Sequence, residues 1–449
     1  MKNVLILGAG RTVPSLIDYL ARLSGLDIQI RVGDISEQLA NQRALGYDNV
    51  TGFSFDVTDQ SQREQEVLNA DLVISLLPVK FHIEVAKTCL QYGKQMLTAS
   101  YITPEMAKLD TEAKDKGILL LNECGLDPGL DHMTAMAALD YIRLKKGGEV
   151  FSFNSYTGGL IAPESDNNPW HYKFTWNPRN VVLAGTETAR FIRNGKYKYI
   201  PYHCVFTRLD QVQVAGYGNF EGYPNRDSLK YRELYGLENV ETMIRGTLRR
   251  PGFCDAWNVL VQLGLTDDSY QLEDLPQMTY RDFINTFLYY HPTKLVEDKL
   301  CEYLNIDPNG QVMKQLTWLG IFERRPINLA QASPAVVLQH LLEQKWKLEP
   351  DDKDMIVMQH QVGYRVNGKR HKHITSLVVV GDDHHQTAMS KTVGWPLAVA
   401  AKLVLSGSLK QKGVCVPVTA EFYKPIIQEL TRLGVKITRE ETQFDDSNP

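Results

Sequence analysis

Residues 4–13 read VLILGAGRTV, a short apolar run that leads directly into a glycine turn. Apolar residues then recur at helical spacing over residues 13–20, and a second β-like run follows at residues 28–32 and closes on Gly33-Asp34. The order strand, glycine turn, helix, strand is typical of a βαβ unit, whose two strands are parallel and whose connection is right-handed. The start of the chain therefore predicts an α/β fold.

The same alternation continues beyond this unit. Further strands are predicted into residues 55–57 and at 71–77, 95–98 and 117–122, with helices at residues 37–45, after residue 81 and from residue 104. Six strands with intervening helices indicate a doubly wound parallel sheet of the Rossmann type.

The glycine turn is a candidate dinucleotide site. Gly8 and Gly10 allow the backbone to approach a pyrophosphate held at the N-terminus of the following helix. Val13 stands where the third glycine of the usual fingerprint would lie, so a purely structural turn is the alternative. The motif predicts cofactor contacts from Gly8, Gly10, Arg11, Thr12 and Val13.

Asp34 favours NAD as the cofactor. It follows the second predicted strand, where a carboxylate can accept hydrogen bonds from the ribose hydroxyls and would repel a 2′-phosphate. Arg11 and Arg31 are close enough in sequence to keep NADP open, and Asp34 as a simple turn residue is a further alternative. Ser36 is expected to contact the same end of the cofactor.

Two later strand ends should contribute to the site, because ligands of such sheets bind at the carboxyl edge. Leu77 and Pro78 end the fourth predicted strand and are expected beside the nicotinamide ribose. Residues 123–132, ECGLDPGLDH, follow the sixth strand and contain Asp127. Asp127 could also be only a cap or turn residue before Pro128, and His132 is expected to cap the next helix.

The rest of the chain suggests a second, mixed α/β domain with a helical insertion. A helix is predicted at residues 133–145, a strand at 150–156, a β-hairpin at 355–380 around Asn367-Gly368, and a buried helix at 387–405. The expected division is a Rossmann domain of residues 1–125 completed by 388–449, a substrate and dimerisation domain of 126–253 with 350–387, and a helical subdomain of 254–349.

Composition narrows the function classes. The 449 residues carry a formal net charge of −4, so a general attraction to nucleic acid or to an anionic membrane is not expected. The apolar runs are shorter than the ~20 residues of a membrane span, and we expect a cytoplasmic protein. No metal site is expected, because the pairs His371/His373 and His384/His385 have no Cys or Glu partner at ligand spacing.

Seven segments together point to one family. They are VISLLP at 73–78, ASYITP at 99–104, GLDPGLDH at 125–132, YPNRDS at 223–228, IRGTLR at 244–249, KDMIVM at 353–358 and AMSKTVG at 388–394. In their order and spacing the chain resembles, nearly end to end, the glutamate-forming saccharopine dehydrogenases, also called saccharopine reductases.

The resemblance implies an NAD(P)-dependent oxidoreductase acting on a CH–NH group. In this family's reaction, saccharopine is interconverted with L-glutamate and L-2-aminoadipate 6-semialdehyde through an imine, within lysine metabolism. The resemblance also implies a homodimer and the Rossmann domain with a mixed α/β partner domain already outlined.

The resemblance implies a substrate site rich in hydrogen-bond donors, since saccharopine carries three carboxylates. Arg226 and Arg249 offer planar forks suited to carboxylates. The further substrate contacts are Ser100, Tyr101, Asp127, Thr247 and Leu248. Asp127 and Tyr101 are the expected catalytic residues beside the reacting nitrogen, while Ser100 and Trp176 are also expected to contact the cofactor.

Two departures from the family are informative. Thr157 occupies a position where fungal members have a cysteine, and Asp34 occupies one where NADP-preferring members have no carboxylate. Two other functions stay open: a carboxynorspermidine dehydrogenase-like imine reductase, which would need pocket carboxylates in place of Arg226 and Arg249, and a non-catalytic dinucleotide-sensing protein.

Overall fold

A computed structural model describes residues 1–185 and 187–443. They divide into two compact units. The first comprises Met1–Glu149, Val366–Lys369 and Leu377–Thr442, and the second comprises Val150–Arg365 and Arg370–Ser376 together with Gln443.

The strands, in chain order, are β1 (Lys2–Leu7), β2 (Ile28–Asp34), β3 (Val50–Ser54), β4 (Leu72–Ser75), β5 (Gln95–Thr98), β6 (Leu119–Leu121), β7 (Glu149–Ile161), β8 (Ala189–Arg193), β9 (Lys196–Ile200), β10 (Asp210–Val214), β11 (Gly218–Pro224), β12 (Thr242–Arg249), β13 (Asp354–Val366), β14 (Lys369–Val380), β15 (Gly413–Cys415) and β16 (Lys436–Gln443).

The α-helices are α1 (Pro14–Ala21), α2 (Glu37–Ala44), α3 (Gln60–Asn69), α4 (His82–Tyr92), α5 (Pro104–Ala107), α6 (Asp110–Asp115), α7 (Leu130–Asp140), α8 (Pro178–Val182), α9 (Phe253–Gln262), α10 (Tyr280–Thr286), α11 (Val296–Leu304), α12 (Gln311–Leu319), α13 (Pro334–Lys345), α14 (Ala388–Leu405) and α15 (Ala420–Arg432). A π-helical turn, Tyr141–Lys146, continues α7.

The first unit contains a seven-stranded parallel sheet in the order β15-β6-β5-β4-β1-β2-β3. The order reverses at β1, between its neighbours β2 and β4, so the carboxyl ends of these strands form a crevice where a ligand can bind. Strands β1 and β4 are apolar because helices cover both faces of a parallel sheet. The doubly wound fold predicted from the sequence is confirmed.

The second unit contains a mixed sheet. Its strands run in the order β10-β11-β12-β7-β13-β14, with β11 and β12 antiparallel and β12 and β7 parallel. A hairpin of β8 and β9 joins this sheet through β12. The mixed α/β character predicted for the second part of the chain is therefore also confirmed.

Some predicted boundaries were wrong. The strand expected to end at residues 55–57 ends at Ser54, because Asp56 accepts hydrogen bonds from Thr58 and starts a turn toward α3. The helix expected at residues 133–145 begins three residues earlier, at Leu130.

The compact units draw their borders differently from the expected domains. Residues 126–149 and 377–387 belong to the first unit, and helices α9 to α13 belong to the second. The functional division into three domains stays a prediction.

Candidate functional site

The glycine turn has the geometry that a dinucleotide pyrophosphate requires. Gly8 adopts φ +100°, and a Cβ there would meet the Leu76 carbonyl oxygen at 2.8 Å. A Cβ at Gly10 would meet nothing within 4 Å, so the backbone there borders open space. Val13 is the N-cap of α1 and Pro14 occupies its first turn. The residues present therefore fit a dinucleotide at this turn.

Asp34 links the glycine turn to the end of β2. Its Oδ2 accepts a hydrogen bond from the Ala9 amide at 2.8 Å, and its Oδ1 accepts one from the Ser36 amide at 2.9 Å. The hydroxyl of Ser36 caps α2 by accepting from the Leu39 amide. The carboxylate is thus fixed beside the turn, with lone pairs left for other donors.

The basic residues near Asp34 have other partners. Arg31 forms two hydrogen bonds with Glu66, at 2.9 and 2.8 Å, and stacks on the Phe53 ring. Arg43 donates to the Ala9 carbonyl, and burial lowers its pKa while Asp34 opposes that shift. Arg11 and Arg31 were the two arginines that left NADP as an alternative cofactor. Arg31 is bonded to Glu66, whereas Arg11 is exposed.

Helix α14 supports the turn from the other side. A Cβ at Gly394 would lie 2.7 Å from the Leu16 amide nitrogen and 3.1 Å from the Thr12 carbonyl oxygen. Ser390 Oγ accepts from the Ser15 amide at 3.1 Å. In the usual fingerprint the third glycine permits close packing at the turn. Here a glycine on α14 permits a comparably close contact with α1.

At the ends of β4 and β5 the structure places a histidine that the sequence analysis missed. His82, in the first turn of α4, is 3% exposed. Its Nδ1 lies 2.8 Å from Ser75 Oγ and its Nε2 lies 2.7 Å from Ser100 Oγ. Burial lowers the pKa of His82 to about 4. The ring is therefore neutral at pH 7 and connects two serine hydroxyls. Leu77 and Pro78 precede it at the same edge.

The two expected catalytic residues lie together. Tyr101 donates from its hydroxyl to Asp127 Oδ1 at 3.4 Å, and both side chains are partly exposed. Glu123 holds the backbone next to Tyr101, because its Oε1 accepts a hydrogen bond from the Ile102 amide at 3.0 Å. The φ angle of Glu123 is +53°. A non-glycine residue in that conformation is strained, and such strain is typical of functional sites.

The expected role of His132 was wrong. Gly129 is the N-cap of α7, and His132 lies inside the helix with no exposed surface. Its Nε2 lies 2.9 Å from Glu123 Oε2. His132 therefore holds the Glu123 carboxylate, and an N-cap role is excluded because a capping side chain must precede the first turn.

In the second unit, two of the three predicted substrate residues on β12 share one face of the sheet. Side chains alternate along a strand, so Thr247 and Arg249 point to the same side and Leu248 to the other. Thr157 on β7 lies beside Thr247 in the parallel register. The Thr157 hydroxyl is buried without a hydrogen-bond partner among the described residues. Leu248 can reach a ligand on this face only through its backbone.

Arg249 is a buried cation surrounded by rings. It is 4% exposed, and its guanidinium carbon lies 5.0 Å from the centroid of the Tyr172 ring, 5.1 Å from that of Phe253 and 5.9 Å from that of Tyr223. Its one hydrogen bond within the described chain is from Nη1 to the Leu248 carbonyl, and its Nε has no partner there.

Glu221 is opposite Arg249 in the register of β11 and β12, yet the two side chains form no ion pair within 4 Å. Its two oxygens accept from the amides of Gly252 and Cys254, and so cap α9. A buried charge without a counter-charge is costly, which points to an anion supplied by a ligand.

Arg226 is not brought next to Arg249. It lies beyond the end of β11 in the left-handed conformation, with φ +50°, and its side chain is 49% exposed and 3.8 Å from Glu187. Because Arg249 pairs with Glu221, five residues before Arg226, the backbone positions of the two arginines are on the order of 16 Å apart along the strand.

The aromatic stripe before Trp176 belongs to the same surroundings as Arg249. Trp170, Tyr172 and Phe174 are buried and pack around Trp346 at centroid distances of 5.3, 5.0 and 5.3 Å. They lie in a segment without regular secondary structure. Trp176 itself is partly exposed.

Two other features bear on the function class. Within residues 1–185 and 187–443, no three His, Cys, Asp or Glu side chains are grouped as metal ligands would be. Over the same ranges, no helix combines the length and the apolar character that crossing a bilayer requires.

Two family descriptions match the chain. The saccharopine dehydrogenase NADP binding domain matches residues 4–121, and the saccharopine dehydrogenase C-terminal domain matches residues 125–435. Together they span both units.

Among individual proteins, the mitochondrial alpha-aminoadipic semialdehyde synthase of Mus musculus is 36% identical over 98% of this chain. That alignment covers 48% of the mouse protein, so the chain spans about half the length of this relative. Saccharopine dehydrogenase [NADP(+), L-glutamate-forming] of Schizosaccharomyces pombe is 32% identical, with 98% of this chain and 99% of that protein covered. The solved structure of apo saccharopine dehydrogenase (L-Glu forming) from Saccharomyces cerevisiae superposes with a TM-score of 0.89 at 32% identity, over 98% of this chain and 100% of that one.

Proposed function

The chain belongs to the saccharopine dehydrogenase family, and we propose that it interconverts saccharopine with L-glutamate and L-2-aminoadipate 6-semialdehyde. In the oxidative direction, saccharopine, a nicotinamide dinucleotide and water give glutamate, the semialdehyde, the reduced dinucleotide and one proton. A bound nicotinamide dinucleotide supplies the hydride acceptor, and the glycine turn with Asp34 would hold it.

Arg249 carries this proposal. Its guanidinium is buried among three rings, and no ion pair joins it to any described residue. A substrate carboxylate would supply the missing charge and accept from the unpartnered Nε. A polyamine substrate would instead place a second cation beside it, which a buried site disfavours. The carboxynorspermidine alternative therefore fits less well.

The separation of the arginines also fits the proposed substrate. Saccharopine carries carboxylates at both ends of an extended molecule, and Arg226 and Arg249 lie toward opposite ends of the β11 and β12 pair. We propose that Arg249 binds one terminal carboxylate and Arg226 another, with Thr247 as an additional donor and the backbone of Leu248 as a further contact.

Asp127 and Tyr101 are the proposed catalytic pair. A carboxylate beside the substrate nitrogen stabilises the iminium that forms when hydride leaves the neighbouring carbon. Tyr101 holds that carboxylate through the bond to Oδ1 and fixes its direction. Water then adds to the iminium carbon, and Asp127 is placed to accept a proton during release of the glutamate amine.

For the cofactor, we propose a preference for NAD over NADP. The support is Asp34, which is fixed by two backbone amides where a 2′-phosphate would approach, and the engagement of Arg31 by Glu66. The fungal relatives are named for NADP(+), so this preference would distinguish the chain from them. Arg11, Thr12 and Trp176 are proposed as further contacts.

Arg249→Gln and Arg249→Lys test the substrate site. Loss of the guanidinium should raise the KM for saccharopine by about 10- to 100-fold, because charge-assisted hydrogen bonds contribute about 1.5–3 kcal/mol. Arg249→Lys should recover only part of it, since lysine lacks the fork. Arg250→Gln is the matched control, because Arg250 donates to the Tyr217 carbonyl instead. An unchanged KM for saccharopine in a folded Arg249→Gln protein would contradict the proposal.

The remaining expectations stay predictions. They are the homodimer, the cytoplasmic location and the role in lysine metabolism. A purely dinucleotide-sensing protein is the second candidate function. It would need neither the buried cation at Arg249 nor the contact between Tyr101 and Asp127.

A further inference from the structure

The strongest unexplained feature of the first unit is the series of hydrogen bonds that links Ser75, His82 and Ser100. Ser75 ends β4 with no exposed surface, His82 is 3% exposed, and Ser100, after β5, is partly exposed. This series of hydrogen bonds therefore begins inside the protein and ends at the carboxyl edge of the sheet. The next residue after Ser100 is Tyr101, which contacts Asp127.

The hydrogen atoms in these two hydrogen bonds can be assigned by counting donors and acceptors. A neutral imidazole has one N–H donor and one acceptor nitrogen. If Nδ1 carried the proton, the Ser75 hydroxyl would accept from it, and its own hydrogen would need another acceptor. The only hydrogen-bond partner of that hydroxyl within the described chain is His82.

The opposite assignment satisfies every buried group. Ser75 then donates its hydrogen to Nδ1, and Nε2–H donates to Ser100 Oγ. A buried hydroxyl without an acceptor is costly, so this arrangement is favoured. It leaves the hydroxyl hydrogen of Ser100 free to point outward, because His82 is the one partner of Ser100 Oγ among the described residues.

We propose that His82 is a positioning residue that makes the Ser100 hydroxyl an outward-facing hydrogen-bond donor to an acceptor oxygen of a bound ligand. This oxygen is either a carboxamide oxygen of the dinucleotide or a carboxylate oxygen of the amino-acid substrate. The proposal rests on the dehydrogenase function proposed above. It assigns a role to Ser75 and His82, which touch no ligand themselves.

The protonated nitrogen can be observed without any activity. Nitrogen-15 NMR of the histidine-labelled whole chain distinguishes a protonated ring nitrogen from an unprotonated one, and the His82 signals are those missing from His82→Gln. We expect a protonated Nε2 and an unprotonated Nδ1 at pH 7. A protonated Nδ1 would overturn the proposal, whatever substrate the enzyme uses.

Two matched variants test the effect on ligands. The side-chain amide nitrogen of His82→Gln can take the place of Nε2 and donate to Ser100, whereas that of His82→Asn reaches only the place of Nδ1. We expect His82→Asn to lower kcat/KM by about tenfold, the effect of one hydrogen bond, and His82→Gln to stay within about threefold of wild type. Equal losses in both variants would indicate packing alone and overturn the proposal.

The affected constant identifies the ligand. A weaker Kd for NAD, measured by titration without substrate, would place the acceptor on the dinucleotide, and a higher KM for saccharopine alone would place it on the substrate. His82→Asn should add no further loss in a Ser100→Ala background, and additive losses would contradict the coupling. If the wild-type protein oxidises no saccharopine, the proposed function fails, while the NMR experiment and the NAD titration still decide the role of His82.

Discussion

At the scale of single residues, Asp34 shows how one side chain can join two backbone segments. Its two oxygens accept from the amides of Ala9 and Ser36, so one carboxylate joins the glycine turn to the start of α2. The same group keeps lone pairs for further donors, and we propose that the ribose hydroxyls of the cofactor supply them. Cofactor preference is therefore expected to depend on this residue.

The double substitution Asp34→Ser, Ile35→Arg should shift the preference toward NADP. It removes the charge that repels a 2′-phosphate and adds a guanidinium at an exposed position. We expect the ratio of kcat/KM for NADP to that for NAD to rise about tenfold or more. Ile35→Arg alone is the control. An unchanged preference in the double variant would show that Asp34 does not contact the ribose.

Arg226→Ala should affect saccharopine far more than the cofactor. The side chain is 49% exposed, and its ion pair with Glu187 is long, at 3.8 Å, so its loss should cost little stability. We expect the KM for saccharopine to rise about tenfold or more, with the KM for NAD unchanged. Equal increases in both constants would indicate a folding role.

His82 should make the protein sensitive to acid. Burial lowers its pKa to about 4 from 6.5, so the unfolded chain binds a proton that the folded chain does not between these pH values. The contribution of His82 to the free energy of unfolding therefore decreases as the pH falls from 6.5 toward 4, by on the order of 3 kcal/mol.

The variant His82→Gln isolates this contribution, because it lacks the titrating ring. Urea unfolding of both proteins at pH 7 and pH 5 should show that any stability advantage of the wild type becomes smaller at pH 5. A difference that stays constant with pH would contradict the assignment.

At the scale of secondary-structure elements, the contact between α14 and α1 explains how the glycine turn tolerates Val13. Gly394 lets the two helices approach until its Cα hydrogen faces the Leu16 amide. A helix nearly four hundred residues away in sequence thus helps to form the dinucleotide turn.

Gly394→Ala should separate these helices. A Cβ would lie 2.7 Å from the Leu16 amide nitrogen, a backbone atom that cannot move aside by rotation. Overpacking of this kind costs about 1–3 kcal/mol, more than the ~1 kcal/mol that alanine gains in helix propensity. We expect a lower melting temperature and weaker NAD binding. Val393→Ala, at the adjacent, partly exposed position, is the control, and an equal loss there would contradict a specific contact.

Local sequence patterns predicted the elements that depend only on residues adjacent in sequence. Asn367 and Gly368 have φ +49° and +74°, as the tight turn between β13 and β14 requires. The same signal at Asn194-Gly195, with φ +52° and +71°, marks the β8 and β9 hairpin that the sequence analysis did not identify. It could have been found from the dipeptide alone.

The sequence could not predict contacts that depend on distant elements. Ser75, His82 and Ser100 carry no recognisable spacing, because their contact arises where two strands and a helix meet. Likewise, the burial of Arg249 depends on Tyr172, which the fold brings from a segment distant in sequence. The resemblance suggested a role for Arg249, and the structure shows that its guanidinium is buried among aromatic rings.

At the scale of the whole molecule, the chain combines a dinucleotide-type sheet with a second sheet that holds an unneutralised cation. The first unit contains Asp34 and the Tyr101–Asp127 pair, and the second contains Arg226 and Arg249. Both family descriptions match in order along the chain. These features support the proposed carboxylate-bearing substrate and the proposed hydride acceptor.

The most direct test is absorbance at 340 nm with purified protein, saccharopine and either NAD or NADP, with glutamate identified among the products. The account predicts reduction of the dinucleotide with saccharopine, faster with NAD than with NADP, and one glutamate released for each dinucleotide reduced. No reduction with either dinucleotide, in folded protein that still binds NADH, would contradict it.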